Sequence, residues 1–321
     1  MPVSWLPELD SGSSVHFPYG AYRSWLYALP NKDIVWSLIL ADSSYRNKLC
    51  EQDDYGDTPM HILAGKINTL KSVFLYLLDT SEGQAALCIK NNRGCTPLHL
   101  FDDTIARHLD VLRKVLSTES GQRAALMVSD SMELPLVRYY NATYYFPLNF
   151  SSAVAEAFLA SEFLQNMLKI QGAQGLTLVH FAAQREWEGF RRMGRPMPIG
   201  HPHFIELFLK YPAGREALEI QDDLGSTPLH IAAAWTYYVG IESIINQTMS
   251  AKIFTMKTTS GHTFADLFIG SEVSYFGDNT QAIARREAIE LAKQRCITLQ
   301  TADSKQKKSV EKSLRYLQSL D

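Results

Sequence analysis

Histidine is the residue type in this sequence best suited to catalysis or metal binding, because an imidazole can ligate a metal ion or act as a general base near neutral pH. Four of the nine histidines share a pattern in which a Thr stands three residues earlier and a Leu, Met or Val stands directly before: His61, His99, His180 and His230. Catalysis or metal binding would require these side chains to converge on one point. They lie 38, 81 and 50 residues apart, so the elements that carry them decide whether they can meet.

Two further arrangements could carry chemistry. Cys95 stands four residues before His99, so a thiol and a base could share one helix face. His201 and His203 stand two residues apart in the loop 193–204 and could ligate a metal ion, but a metal site needs more ligands than these two. The sequence has no Gly-rich phosphate loop, no Gly-x-Ser-x-Gly and no His-Glu-x-x-His motif. We therefore predict no catalytic residue, no metal site and no cofactor.

The histidine pattern recurs because a longer segment recurs. The strongest copies are DDYGDTPMHILA (53–64), NNRGCTPLHLF (91–101), GAQGLTLVHFAA (172–183) and DDLGSTPLHIAA (222–233). Weaker copies lie at 129–139, where Met132 replaces the glycine, and at 258–268. The glycine position recurs at intervals of 38, 38, 43, 50 and 36 residues. Recurrence at such intervals indicates a stacked repeat array.

Each residue of this motif has a local role. Gly adopts the positive φ that a tight turn requires. Thr follows at the position of a helix N-cap, where its hydroxyl can accept an early backbone N–H. Pro at the first helical position loses nothing by lacking an N–H, and its φ already suits a helix. The motif therefore predicts a turn followed directly by a short helix.

A second motif precedes the next turn. EGQAAL (82–87), SGQRAAL (120–126) and AGREAL (213–218) share a Gly, a polar residue and an Ala-Leu pair, and we interpret them as connections. Between the two motifs, apolar residues recur at three- and four-residue steps, which predicts a longer helix in each unit. These amphipathic stretches are 70–79, 109–118, 153–168, 203–212 and 238–247.

The combination Gly-x-Thr-Pro-Leu-His-x-Ala-Ala resembles the ankyrin repeat, from about residue 20 to about residue 275. The resemblance implies an all-α ankyrin-repeat solenoid of about six to seven helix-turn-helix units with atypical helical caps. It also implies that the motif histidines fasten each turn to the neighbouring unit. The units are longer than the usual ankyrin length of about 33 residues. Long units with a Gly-Gln-x-Ala-Leu motif resemble those of ankyrin effectors that intracellular bacteria inject into host cells.

We divide the chain into three parts: an N-terminal segment (1–17), the repeat array (18–275) and a C-terminal helical cap (276–321). The first unit of the array is degenerate. Insertions near 141–150 and 193–204 explain the two longest intervals and either contact a partner or cover the core. The C-terminal helices could instead form a separate hairpin that binds a partner.

The composition excludes several classes of partner. The formal net charge is −3, which disfavours nucleic acid. No apolar run reaches the roughly 18–20 residues that cross a bilayer, so we expect no membrane insertion. Four cysteines without paired spacing suit a reducing compartment, and the first residues lack the pattern of a secretory signal. We therefore expect a cytoplasmic protein.

The resemblance places partner contacts on the concave surface, at the turn tips and the first helix of each unit. Exposed Trp, Tyr and Arg often dominate interface energies. The nominated contacts are Tyr55, Asp57, Arg93, Gln174, Arg185, Trp187, Arg191, Arg192, Leu224, Ser226, Trp235 and Tyr237, with Lys66, Cys95, Thr104 and Leu176 as further members.

We expect a monomeric, non-enzymatic protein-interaction module, namely a bacterial effector that is translocated into the host cytoplasm and binds a host protein there. The alternative is an enzyme-bearing effector, or a fragment of one, with its site in an inserted loop or in the C-terminal helices.

Overall fold

The computed structural model describes residues 47–101, 103–142, 152–184, 204–235, 237–268, 278–302 and 307–320. All regular elements within these ranges are helical, and they repeat in units, so the predicted all-α solenoid is confirmed. We number the units 1 to 6 by the residue at the glycine position of the turn: Gly56, Gly94, Met132, Gly175, Gly225 and Gly261. The segment 1–17 and most of the degenerate unit predicted before unit 1 lie outside the described residues.

The first helix of each unit is short and begins where the motif predicts. In unit 5, Thr227 has extended backbone angles and its hydroxyl accepts the N–H of His230, while Pro228 opens the helix. Unit 3 lacks this Thr, but Pro135 still stands at the first helical position. The first helices span Pro59–Ala64, Pro97–Leu100, Pro135–Ala142, 178–184, Pro228–Ala234 and Phe264–Asp266.

The second helix of each unit packs its apolar face into the core. Ile67–Leu78, Leu109–Leu116, Ser152–Phe158, Phe204–Leu209 and Tyr238–Gln247 are the second helices of units 1 to 5. One prediction was wrong: the stretch 153–168 is not a single helix. It breaks after Phe158, because Ser161 adopts extended backbone angles and caps a new helix with its hydroxyl.

The second sequence motif forms a third helix rather than a connection, which corrects our interpretation. The third helices span Ser81–Ala86, Glu119–Ala125, Glu162–Gln165, Pro212–Glu216 and the 3-10 turn Ala251–Thr255. Thr80 caps the first of them by accepting the N–H of Gly83. A Cβ on Gly83 would lie 2.1 Å from the carbonyl oxygen of Leu77, so only glycine fits against the end of the second helix. This third helix accounts for the extra length of the units.

The glutamine of the second motif ties the third helix to the second. Nε2 of Gln84 donates to the carbonyl of Leu78 at 3.2 Å, and Nε2 of Gln122 donates to that of Leu116 at 3.0 Å. In unit 4, Nη1 of Arg215 makes the same kind of bond. Carbonyls at helix C-termini lack partners within the helix, so these side chains satisfy them.

Two helices follow the last unit, Asp278–Ala302 and Lys307–Gln318. Nη2 of Arg295 donates to the carbonyl of Thr248 at 2.6 Å, and Oγ of Ser313 donates to that of Ala251 at 2.7 Å. Leu317 is fully buried. These contacts pack the pair onto unit 5, and Nε of Arg285 donates to the carbonyl of Ala265 in unit 6 at 3.0 Å. None of the helices described is both long and apolar enough to cross a membrane.

Candidate partner-binding surface

The motif histidines bridge consecutive units. The backbone N–H of Thr58 donates to Nδ1 of His61 at 3.0 Å, and Nε2 of His61 contacts the carbonyl oxygen of Cys95 in unit 2 at 2.9 Å. Because a carbonyl only accepts, the proton must be on Nε2. The other bridges run from His99 to Glu133 at 2.9 Å, from His180 to Ser226 at 3.1 Å and from His230 to Met256 at 3.1 Å.

Burial keeps these imidazoles neutral. It lowers the pKa of all four, and it brings the pKa of His99 and of His180 to about 4. Both ring nitrogens of each histidine already have partners, so neither can ligate a metal ion or accept a proton from a substrate. The prediction that these histidines are fasteners is confirmed.

The possible Cys95–His99 nucleophile pair is not formed. Cys95 is 1% exposed, and its sulfur accepts a long hydrogen bond from Nη1 of Arg138 at 3.6 Å. The ring of His99 faces Thr96 and Glu133 instead. Within the described part of the chain, no three His, Cys, Asp or Glu side chains are grouped so that they could hold a metal ion.

The residue after the turn glycine is buried between units 1 and 2 in the first of these turns and is also buried in unit 2, which corrects the nominated surface. Asp57 is 6% exposed, and Oδ1 of Asp57 accepts a hydrogen bond from Nδ2 of Asn91 at 2.7 Å. Cys95 occupies the same position in unit 2 and is buried as well. The carbonyl groups of Cys95 and Ser226 at this position accept the histidine bridges. Asp57 and Cys95 therefore cannot contact a partner as predicted.

The residue before each turn glycine is the true tip. Tyr55 is 63% exposed and Leu224 is 68% exposed, and Arg93 and Gln174 at the same position are exposed too. The turn geometry explains this exposure, because Oδ1 of Asp222 accepts the backbone N–H groups of Leu224 and Ser226 at 2.9 and 2.7 Å. The tip side chain then projects away from the unit.

Backbone hydrogen bonds join each tip to the following turn. The carbonyl of Tyr55 accepts the N–H of Asn92 at 3.0 Å, and the carbonyl of Leu224 accepts the N–H of Thr259 at 2.9 Å. Gln174 makes the same bond to unit 5. The four tip residues nominated from the sequence therefore form one row along an edge of the array.

A groove opens beside this row between units 4 and 6. Its volume is about 360 Å³. Four nominated residues, Gln174, Leu224, Ser226 and Trp235, line it together with Leu176. Trp235 ends the first helix of unit 5 and is half-buried. Sequence reasoning nominated these residues one by one, but it did not show that they share one depression.

Tyr237 does not belong to this surface. It is 3% exposed, and a Cβ on Gly240 would lie 2.2 Å from the Tyr237 ring. Its ring thus packs over Gly240 in the second helix of unit 5. The nomination of Tyr237 as a partner contact was wrong, because its side chain is buried against Gly240.

Several nominated features lie outside the described residues. They are the side chain of Thr104, the residues Arg185, Trp187, Arg191 and Arg192, the pair His201 and His203, and most of the insertions 141–150 and 193–204. Lys66 is exposed directly before the second helix of unit 1, away from the groove.

No protein-family model matches this chain, and no curated protein matches it. One similar solved structure is the crystal structure of the ankyrin repeat domain of Bcl-3, described as a unique member of the IkappaB protein family. The two sequences are 20% identical, the match covers 67% of this chain and 95% of that chain, and the TM-score is 0.33. The repeat geometry described above, rather than this likeness, defines the fold.

Proposed function

We propose that this protein is a non-enzymatic protein-binding module that holds its partner along the turn tips and the adjoining groove. The observation that carries the proposal is the groove between units 4 and 6, with Leu224 at its rim. Large exposed apolar side chains beside an open depression are typical of interaction sites.

The scaffold favours binding because its surface is organised in advance. The histidine bridges and the backbone bonds from each tip carbonyl to the following turn hold consecutive turns in a fixed register. A preorganised surface loses little conformational entropy when a partner binds. The same bonds occupy the histidines, which removes the most obvious candidates for catalysis.

We also propose, from the resemblance of its long units to those of injected bacterial effectors, that the protein is a monomeric effector. Its partner would then be a host protein, bound in the host cytoplasm. The support for this step is the unit length and the Gly-Gln-x-Ala-Leu motif.

Affinity capture from a eukaryotic cell lysate followed by mass spectrometry tests the proposal. We expect the wild-type chain to retain a protein that Leu224→Asp and Trp235→Ala lose. Arg123→Ala is the matched control, because Arg123 is exposed on the third helix of unit 2. If no protein is depleted by the two groove variants relative to the control, the proposed surface is wrong.

A further inference from the structure

Apolar residues form a large part of the groove lining, and the groove has room for a side chain. An enclosed apolar cavity of about 150 Å³ suffices for a benzene molecule, and this groove offers about 360 Å³. Its apolar lining consists of Leu176, Leu224, Ile231, Ala234, Trp235 and Leu267. Burying one large aliphatic side chain here would stabilise a complex by removing apolar surface from water on both partners.

The groove also presents amide groups that suit a peptide backbone. Gln174, at the tip of unit 4, and Gln184, in the first helix of that unit, both line it. A glutamine amide carries two N–H donors and one carbonyl acceptor, which is the pairing that an extended main chain requires. Hydroxyl groups of Ser226, Thr259 and Ser260 line the groove as well.

The charge of the groove determines whether an acidic or a basic partner segment is favoured. Among the described residues that line it, the one charged side chain is Asp222, and none is Lys or Arg. Oδ1 of Asp222 accepts two backbone N–H groups of its own turn, which leaves Oδ2 for an outside donor. Asp223, the next residue, is exposed. Among the described lining residues no cation would compensate these carboxylates if the partner were anionic, whereas a lysine or arginine of the partner would pair with them.

We propose that the groove binds an extended peptide segment of the partner in which a large aliphatic residue stands beside a lysine or arginine. The aliphatic side chain lies between Leu224 and Trp235, the basic side chain faces Asp222 and Asp223, and the two glutamine amides pair with the peptide backbone. This inference rests on the proposed function and specifies the chemistry of the partner.

Selection of a random dodecapeptide phage library on the full chain tests it. We expect the enriched sequences to share a Leu, Ile or Met beside a Lys or Arg. By isothermal titration of a synthetic enriched peptide, changing the aliphatic residue to Ala should weaken binding at least tenfold. Changing the basic residue to Glu should weaken it at least fivefold.

Matched variants of the protein locate the site. Leu224→Asp should weaken the same peptide at least tenfold, and Gln184→Ala at least threefold. Tyr55→Asp should change the affinity less than twofold, because Tyr55 occupies the same turn position but lies outside the groove. Leu224→Ala serves as a second variant that adds no charge, and thermal unfolding followed by circular dichroism checks that each variant folds.

Several results would overturn the inference. Enrichment of acidic peptides would contradict the proposed peptide, and so would binding that Tyr55→Asp abolishes and Leu224→Asp does not. Neither result would contradict the proposed protein-binding function. A dimer in sedimentation that Leu224→Asp converts to a monomer would show that a second copy fills the groove. If no peptide is enriched, the inference that the groove binds an extended peptide is wrong. The lysate capture would then test the proposed function independently.

Discussion

Asp266 in unit 6 occupies the position that His230 holds in unit 5. It accepts hydrogen bonds from the backbone N–H and the hydroxyl of Thr263 at 2.8 and 2.7 Å, as the histidines do with their own Thr. A carboxylate has no N–H with which to reach a following unit. The hydroxyl of Tyr316, from the C-terminal helix, contacts Thr263 instead. The histidine bridges therefore end where the C-terminal helices begin to cover the array.

Removal of the Asp266 carboxylate, which caps the short helix Phe264–Asp266, should destabilise the C-terminal end of the array. We expect Asp266→Ala to lower the free energy of unfolding by about 1 kcal/mol, the usual effect of losing a capping side chain. Asp54→Ala is the control, because Asp54 is exposed at the tip of unit 1. Urea unfolding followed by circular dichroism measures both. Equal stabilities for the two variants would contradict the capping role.

Glycine at the turn has two separable functions. Gly225 and Gly261 both have positive φ, at +72° and +84°. A Cβ on Gly225 would lie 2.8 Å from the backbone nitrogen of Thr259, whereas a Cβ on Gly261 would meet nothing within 4 Å. We expect Gly261→Ala to lower the free energy of unfolding by about 1 kcal/mol, from backbone strain alone. Gly225→Ala should lower it by at least about 1 kcal/mol more, because the added Cβ overpacks the turn. Denaturant titration of both variants tests the difference, and equal losses would refute close stacking of the turns.

The buried histidines should make the fold sensitive to acid. Because the pKa of His99 and of His180 is about 4 in the folded protein and about 6.5 in an unfolded chain, the unfolded state binds more protons between these values. The free energy of unfolding should therefore fall with decreasing pH, by about 2 kcal/mol per histidine between pH 7 and pH 5.

Urea unfolding at pH 7, 6 and 5 measures this dependence. His99→Gln should destabilise the protein at pH 7 and yet make the pH dependence shallower, since one linked proton is removed. His262→Gln is the control, because His262 is exposed. A wild-type stability that does not change between pH 7 and pH 5 would show that the histidines are not held neutral.

The glutamine of the second motif should contribute to stability through the helix end that it caps. We expect Gln122→Ala to cost about 1 kcal/mol, because it leaves the carbonyl of Leu116 without this donor. Arg215→Gln should cost less, since glutamine makes this bond in other units. Arg123→Ala, at an exposed neighbour, is the control. Thermal unfolding compares the three, and a neutral Gln122→Ala would indicate that water replaces the bond.

Prediction from the sequence succeeded where neighbours along the chain control the structure. The turn, the Thr cap and the Pro at the first helical position depend on backbone angles within a few residues, and unit 5 shows all of them as expected. Thr80, just before the second motif, is a typical helix N-cap and indicates the third helix, but we interpreted the motif as a connection. The close approach of Gly83 to Leu77, which explains the glycine, could be recognised only once the helices were placed.

The binding surface depended more strongly on the packing of units. The sequence shows that Tyr55 and Asp57 flank the same glycine, and it gives no reason to separate them. In the structure the Tyr55 side chain is exposed, whereas the Asp57 side chain is buried and accepts a hydrogen bond from Asn91 of unit 2. Tyr237 is buried because its ring packs over Gly240, a contact that appears only once the second helix of unit 5 is placed.

By itself, the sequence determined the repeat period, the turn and helix at the start of each unit and the structural role of the histidines. The period, the turn and the helix follow from local backbone preferences and from a motif that recurs in register, and the role of the histidines was implied by the resemblance of that motif to a known repeat. The tertiary structure alone decided which side of each turn is free, and that Gln174, Leu224 and Trp235 border one groove. Exposure and proximity depend on how one unit stacks on the next, and residues 61 positions apart along the chain meet only after that stacking.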